Sequence, residues 1–265
     1  MKPTKTLLVS AALILGAMGV QAADFVQNGN YLTVQLKQHQ NYGPSQIRLQ
    51  VVSDRIIRVQ ATAEQSFRSK QSLIIVPQNS KAQYKVEEQG DDLIITTAAM
   101  RAVLNEATGQ ITFYDLKDQV LLKEVAQGGK TFKPFTVPDR EIGVDIAKVP
   151  EAQKHGWSWR ALFDSPDNEA FYGLGQHQSE ELNMKGKNED LFQYNTKVSV
   201  PFVISNKNYG ILWDSYSYSR WGNPDDYLQL NRAFKLYDKD GKEGQLTGTY
   251  VDKNGKKIVR GEDSI

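Results

Sequence analysis

The chain has 265 residues, 32 of them basic and 31 acidic, for a formal net charge of +1, and it contains no cysteine. Disulfides, thiolate metal sites and cysteine nucleophiles are therefore excluded, and the fold must be held by its apolar core. Charges of both signs are spread along the sequence, so no field of one sign recruits nucleic acid or an anionic membrane.

The first residues, MKPTKTLLVSAALILGAMGVQAAD, place Lys2 and Lys5 before an apolar run from Leu7 to Val20, with Ala22 behind it. That is the layout of a cleaved secretory signal over residues 1–22, and it predicts a periplasmic or secreted protein. The run of roughly 14 residues is shorter than the roughly 20 that cross a bilayer as a helix, so no transmembrane span is expected.

From Tyr31 to Glu124 the pattern is short strands with period-two alternation: YLTVQL, QIRLQVV, RIIRVQA, SLIIV (72–76), DLIITT, MRAVLN, QITFYD and QVLLKE. Turn chemistry separates them, at Ser53 and Asp54, at QGDD (89–92), at EATGQ (106–110) and at LKDQ (116–119). Short strands spaced by short polar turns predict an all-β, antiparallel sandwich with no helix longer than two turns. Adjacent Ile56 and Ile57 break the alternation, which predicts a bulge or a sheet edge there.

The stretch from Ala126 to Lys154 is rich in Gly, Pro and Lys and reads as a long ordered connection anchored by Phe132, Phe135 and Val137. GWSWRALFDSPDNEAFYGLGQ (156–176) then resumes strand and turn, with Trp157 and Trp159 on one face by spacing. Its end, FYGLGQ, reads as a tight bend closing a strand, in which Gly173 and Gly175 open a backbone path and Phe171 and Tyr172 anchor it. Beyond Tyr237 the chain is polar and Gly-rich, with DKDG and DKNG turn signals, and residues 237–265 read as the start of a second, incomplete β module.

Candidate chemistry is sparse. His39, His155 and His177 have no second ligand at a metal-motif spacing, no G-x-S-x-G is present, and GLGQHQ lacks the third glycine of a dinucleotide loop. DKDGK lacks the twelfth-position glutamate of a calcium loop, so no metal or cofactor is expected. Glycoside cleavage needs two carboxylates at roughly 5 to 9.5 Å across a bond. The doublets Glu180–Glu181, Glu189–Asp190 and Asp225–Asp226 point to opposite faces of an extended chain, and Asp214 reads as a turn acceptor.

FYGLGQHQSEELNMKGK followed by LFQYNTKVSVPFVISNKNYGILWDS resembles the N-terminal β-sandwich of glycoside hydrolase family 31, the α-glucosidase and α-xylosidase family. Gly173, Gly175, Asn195, Thr196, Pro201, Phe202, Ser205, Tyr209, Gly210, Trp213 and Asp214 carry the match, and the resemblance covers residues 24–236. It implies a galactose-mutarotase-like sandwich in front of a (β/α)₈ barrel that holds the nucleophile and acid/base aspartates of a retaining α-glycosidase. No position here matches either aspartate, so no catalytic residue is assigned and the chain alone is expected to be inactive. The loop before Pro201 carries over as substrate-binding through Gln193, Asn195, Thr196 and Lys197, although an acidic residue is common in the family at Lys197. The tail from GQLTGTY looks like the first strand of a protective-antigen-type module, which favours an α-xylosidase acting on oligosaccharides. Two other readings stay open: a stand-alone carbohydrate-binding sandwich using Trp157, Trp159, Tyr194 and Trp221 as sugar platforms, and an aldose epimerase.

Overall fold

The computed structural model describes residues 25–37, 41–67, 71–76, 82–136, 146–178, 181–193, 195–222, 250–251 and 257–258. The signal segment, His39, Val137, Tyr194 and most of residues 223–265 lie outside them. The chain divides into two compact units, Met1–Asp167 and Asn168–Ile265.

Every described strand pair of the first unit is antiparallel. β1 (Phe25–Asn28), β2 (Tyr31–Gln35), β3 (Gln46–Ser53) and β4 (Ile56–Thr62) form a four-stranded meander. β5 (Tyr84–Gln89), β6 (Asp92–Thr97), β7 (Arg101–Asn105), β8 (Ile111–Tyr114) and β9 (Val120–Lys123) form a five-stranded one. Alternation decides which face each sheet buries. Leu32, Val34, Ile47, Leu49 and Val51 from the first sheet meet Leu93, Ile95, Leu104 and Ile111 from the second in one core. Each such side chain contributes roughly 1.5–3 kcal/mol on burial.

β10 (Lys130–Thr136) and β11 (His155–Ala161) form a two-stranded ribbon. Among the described residues, helix is confined to a 3₁₀ turn at Ile146–Lys148 and a single α turn at Glu151–Lys154. The isoleucine pair sits as expected, on an edge strand opposite a register shift between Val51 and Ser53, and Ile56 is exposed.

Three expectations need correction. SLIIV is not a strand: the Ser72 hydroxyl accepts from the amides of Ile74 and Ile75, which curls the chain and leaves Leu73 and Val76 exposed. The connection from Ala126 contains β10, which among the described residues forms a ladder with β11 alone, so its Pro134 is tolerated at a sheet edge, and Phe135 is exposed rather than an anchor. FYGLGQ is itself a strand and does not end one, and Tyr172 is exposed.

In the second unit, β12 (Phe171–Gln176), β14 (Val198–Ser205) and β15 (Gly210–Leu212) form one sheet, with β14 central. β13 (Glu189–Leu191) pairs with β16 (Ser219–Trp221). Phe171, Leu174, Met184, Leu191 and Val203 are buried together, and Tyr209, Ile211, Trp213 and Trp221 pack on them. Trp213 and Trp221 stack at 6.0 Å, while Phe171 meets Trp221 edge-on at 5.3 Å. β17 (Tyr250–Val251) and β18 (Lys257–Ile258) make a two-residue antiparallel ladder.

Candidate functional site

The candidate site is built around the FYGLGQ strand. Gly173 has φ +135, Leu174 +68 and Gly175 +98, and the register against β14 shifts between the two glycines. A Cβ on Gly173 would stand 2.5 Å from the Phe202 carbonyl oxygen, and one on Gly175 would stand 2.1 Å from that of Val198. Only glycine lets β12 approach β14 so closely in this conformation. The bulge drops the Leu174 side chain into the core and turns its carbonyl toward His177, whose Nε2 lies 2.7 Å away.

At the start of β12 a buried carboxylate organises the motif's polar residues. Glu169 Oε1 accepts from the Ser205 hydroxyl and from the Tyr209 phenol, each at 2.5 Å, and Lys207 Nζ lies 3.6 Å from its other oxygen. Burial, reinforced by the Glu169 carboxylate, holds the Tyr209 phenol above its ordinary range. These bonds join residues 36 and 40 positions apart, so no local spacing signals them. They give Ser205 and Tyr209 a structural task.

The four residues predicted to bind substrate divide by exposure. Asn195 and Thr196 are exposed in the turn that precedes β14. Gln193 is also exposed, and its Oε1 accepts from the Ser199 amide at 3.0 Å, closing the loop on itself. Lys197 points inward: its side chain is 9% exposed and its ammonium pairs with Glu189 Oε1. His177 Nδ1 stands 3.0 Å from the same oxygen. The carboxylate doublet behaves as its spacing requires, because Asp190, on the opposite face from Glu189, accepts from the Tyr218 phenol at 2.7 Å. Sequence reasoning did not foresee the grouping of His177, Glu189 and Lys197.

Elsewhere the candidates stay apart. His155 is a surface residue with Nε2 2.9 Å from Glu151 Oε1. Glu181, also at the surface, pairs with Lys187 at 2.7 Å, and this pairing holds its carboxyl below the usual range. Trp221 is half-buried in the second unit's core rather than a platform, whereas Trp157 and Trp159 are exposed, as their shared face allows. Among the described residues, no group of three or more His, Cys, Asp or Glu side chains is placed to hold a metal ion.

A family model of the glycosyl hydrolase 31 N-terminal galactose mutarotase-like domain matches residues 46–221. The chain belongs to this family.

The family 31 sandwich is 27% identical over 178 residues to an uncharacterized family 31 glucosidase of Pseudescherichia vulneris, spanning 64% of this chain and 32% of that protein. It is 25% identical over 185 residues to an α-xylosidase of Saccharolobus solfataricus, spanning 66% of this chain and 23% of that one. Among solved structures, a family 31 α-xylosidase from Xanthomonas citri superposes with a TM-score of 0.66 at 36% identity, over 88% of this chain and 23% of its own. A soil-metagenome family 31 α-xylosidase complexed with xylose gives 0.56 at 24% identity, over 75% of this chain and 29% of its own, and supports the fold alone. The sandwich thus spans a third or less of the length of the relatives it matches. The antiparallel sheets agree with the galactose mutarotase-like domain that the family model describes.

Proposed function

We propose that this sandwich is the non-catalytic N-terminal part of an exported, retaining α-glycosidase acting on oligosaccharides, with α-xyloside the favoured substrate. The loop between β13 and β14 lines the substrate entrance. The observation that carries this reading is the exposure of Gln193, Asn195 and Thr196 on a loop anchored at both ends, within a chain whose relatives include named α-xylosidases. Amide and hydroxyl side chains supply the donors and acceptors that sugar hydroxyls require.

In the full-length enzyme, such contacts made equally in ground and transition states support KM rather than kcat. Two neutral hydrogen bonds at about 0.7 kcal/mol each, in the lower part of the usual range, correspond to roughly tenfold in KM. Asn195→Ala/Thr196→Ala is therefore expected to raise KM for an α-xylosyl oligosaccharide about tenfold with kcat nearly unchanged, measured by steady-state kinetics. An unchanged KM contradicts the loop assignment. Export is supported by the N-terminal charge and hydropathy pattern, and sequencing the N-terminus of the protein recovered from the periplasm or medium tests it, with Ala23 expected first.

A second reading draws on one observation. Trp157 and Trp159 are 41% and 48% exposed on a single face of the β10–β11 ribbon, and the Trp157 indole N–H donates to Glu64 Oε1 at 3.3 Å. Exposed indoles on one face suit stacking on sugar faces. Calorimetric binding of a xylose-bearing oligosaccharide by the chain, lost in Trp159→Ala, would favour a carbohydrate-binding role.

A further inference from the structure

The loop that carries Gln193, Asn195 and Thr196 offers solvent nearly all of its side chains, so burial of its own apolar surface does little to fix its path. What lies beneath its ends is ionic. The side chains of His177, Glu189 and Lys197 are 5%, 15% and 9% exposed, and they come from the residue after β12, from β13 and from the residue before β14. Glu189 Oε1 is the shared centre: Lys197 Nζ pairs with it, and His177 Nδ1 lies 3.0 Å away, off the line of a hydrogen bond. The other ring nitrogen of His177 faces the Leu174 carbonyl. A carbonyl only accepts, so Nε2 carries a hydrogen and the bulge in β12 sets the orientation of the ring.

We infer that Glu189 and Lys197 are positioning residues that clamp the two ends of the β13–β14 loop to each other, beside the His177 ring that the Gly173–Gly175 bulge orients, and that Lys197 acts on substrate only through the loop it holds. The sugar-contact half of this inference rests on the reading of the loop given above. Taking an ammonium and a carboxylate out of water is costly and is offset only if both are paired, so the arrangement fixes a geometry more than it adds stability. A clamped loop meets its ligand with less ordering still to be done. A carboxylate at 197 would face that of Glu189, a like-charge contact, so a cation at 197 and an acid at 189 belong together.

Amide hydrogen exchange on the chain tests the clamp. Lys197→Met and Glu189→Gln are each expected to speed exchange at residues 192, 193, 195 and 196 roughly tenfold or more, with β12 and β14 unchanged; Lys197→Arg retains protection. The double substitution Glu189→Gln/Lys197→Gln leaves no buried charge unpaired, so it keeps the fold and still loosens the loop. The clamp is overturned if the loop exchanges at the wild-type rate in Lys197→Met, if loosening spreads equally over β12 and β14 in the double variant, or if Lys197→Arg loosens it as much as methionine does. In the full-length enzyme Lys197→Met is expected to raise KM with kcat nearly unchanged. A loosened loop with unchanged KM would overturn the sugar-contact half and leave the clamp standing, so the two failures are distinguishable.

Discussion

At the scale of the residue, Gly175 carries the heaviest single requirement. Its φ of +98 and the Val198 oxygen 2.1 Å from a would-be Cβ leave a methyl group nowhere to go, because the obstruction is backbone. Gly29, at φ +60 with nothing within 4 Å, provides the control. Gly175→Ala is expected to cost about 3 kcal/mol or more and Gly29→Ala about 1 kcal/mol, read as shifts in urea midpoint. A Gly175→Ala midpoint equal to that of Gly29→Ala would contradict the close approach of β12 and β14. The need for an open backbone path at these glycines was legible in the sequence, because two glycines flanking one apolar residue have few other uses. That they bulge a strand against a partner more than twenty residues on was not legible, since the obstructing atoms belong to that partner. The same holds for Glu169, whose three polar neighbours lie 36 to 40 positions away.

At the scale of the element, polar clamps fix how strands end. Glu124, next to β9, and Lys130, at the start of β10, are nearly fully buried and pair through Glu124 Oε2. The same carboxylate accepts from the Ile111 amide at 2.9 Å, and Lys130 also donates to the Gly109 carbonyl at 3.2 Å. Burial pushes the Glu124 carboxyl up and the Lys130 amine down from their ordinary ranges, against their mutual attraction. Lys130→Met strands the carboxylate and is expected to destabilise the first unit by about 3–5 kcal/mol. Glu124→Gln/Lys130→Met should recover much of that loss in urea unfolding, and a Lys130→Met variant as stable as the wild type would sink the clamp. Strands with clean alternation, such as DLIITT and MRAVLN, were legible because one face is core and the other is not. β5 was missed because charged residues fill its exposed positions, and β10 because its proline reads as a breaker. SLIIV misled for the opposite reason: it has strand composition, but the hydroxyl of its own Ser72 takes two amides a ladder would need.

At the scale of the whole molecule, family membership and sheet architecture agree. The architecture follows from alternation and short turns, which the sequence states openly, whereas the candidate site depends on long-range pairing. The loop's exposed amides and hydroxyl were readable from the motif; the inward turn of Lys197 was not, because its partner Glu189 lies across the loop in β13. In the proposed function the sandwich supports chemistry performed elsewhere in a longer enzyme. The most direct test is turnover of an aryl α-xyloside by the purified chain. No hydrolysis above the uncatalysed background is predicted, and a kcat within the ordinary range of roughly 1–10³ s⁻¹ would contradict the non-catalytic assignment.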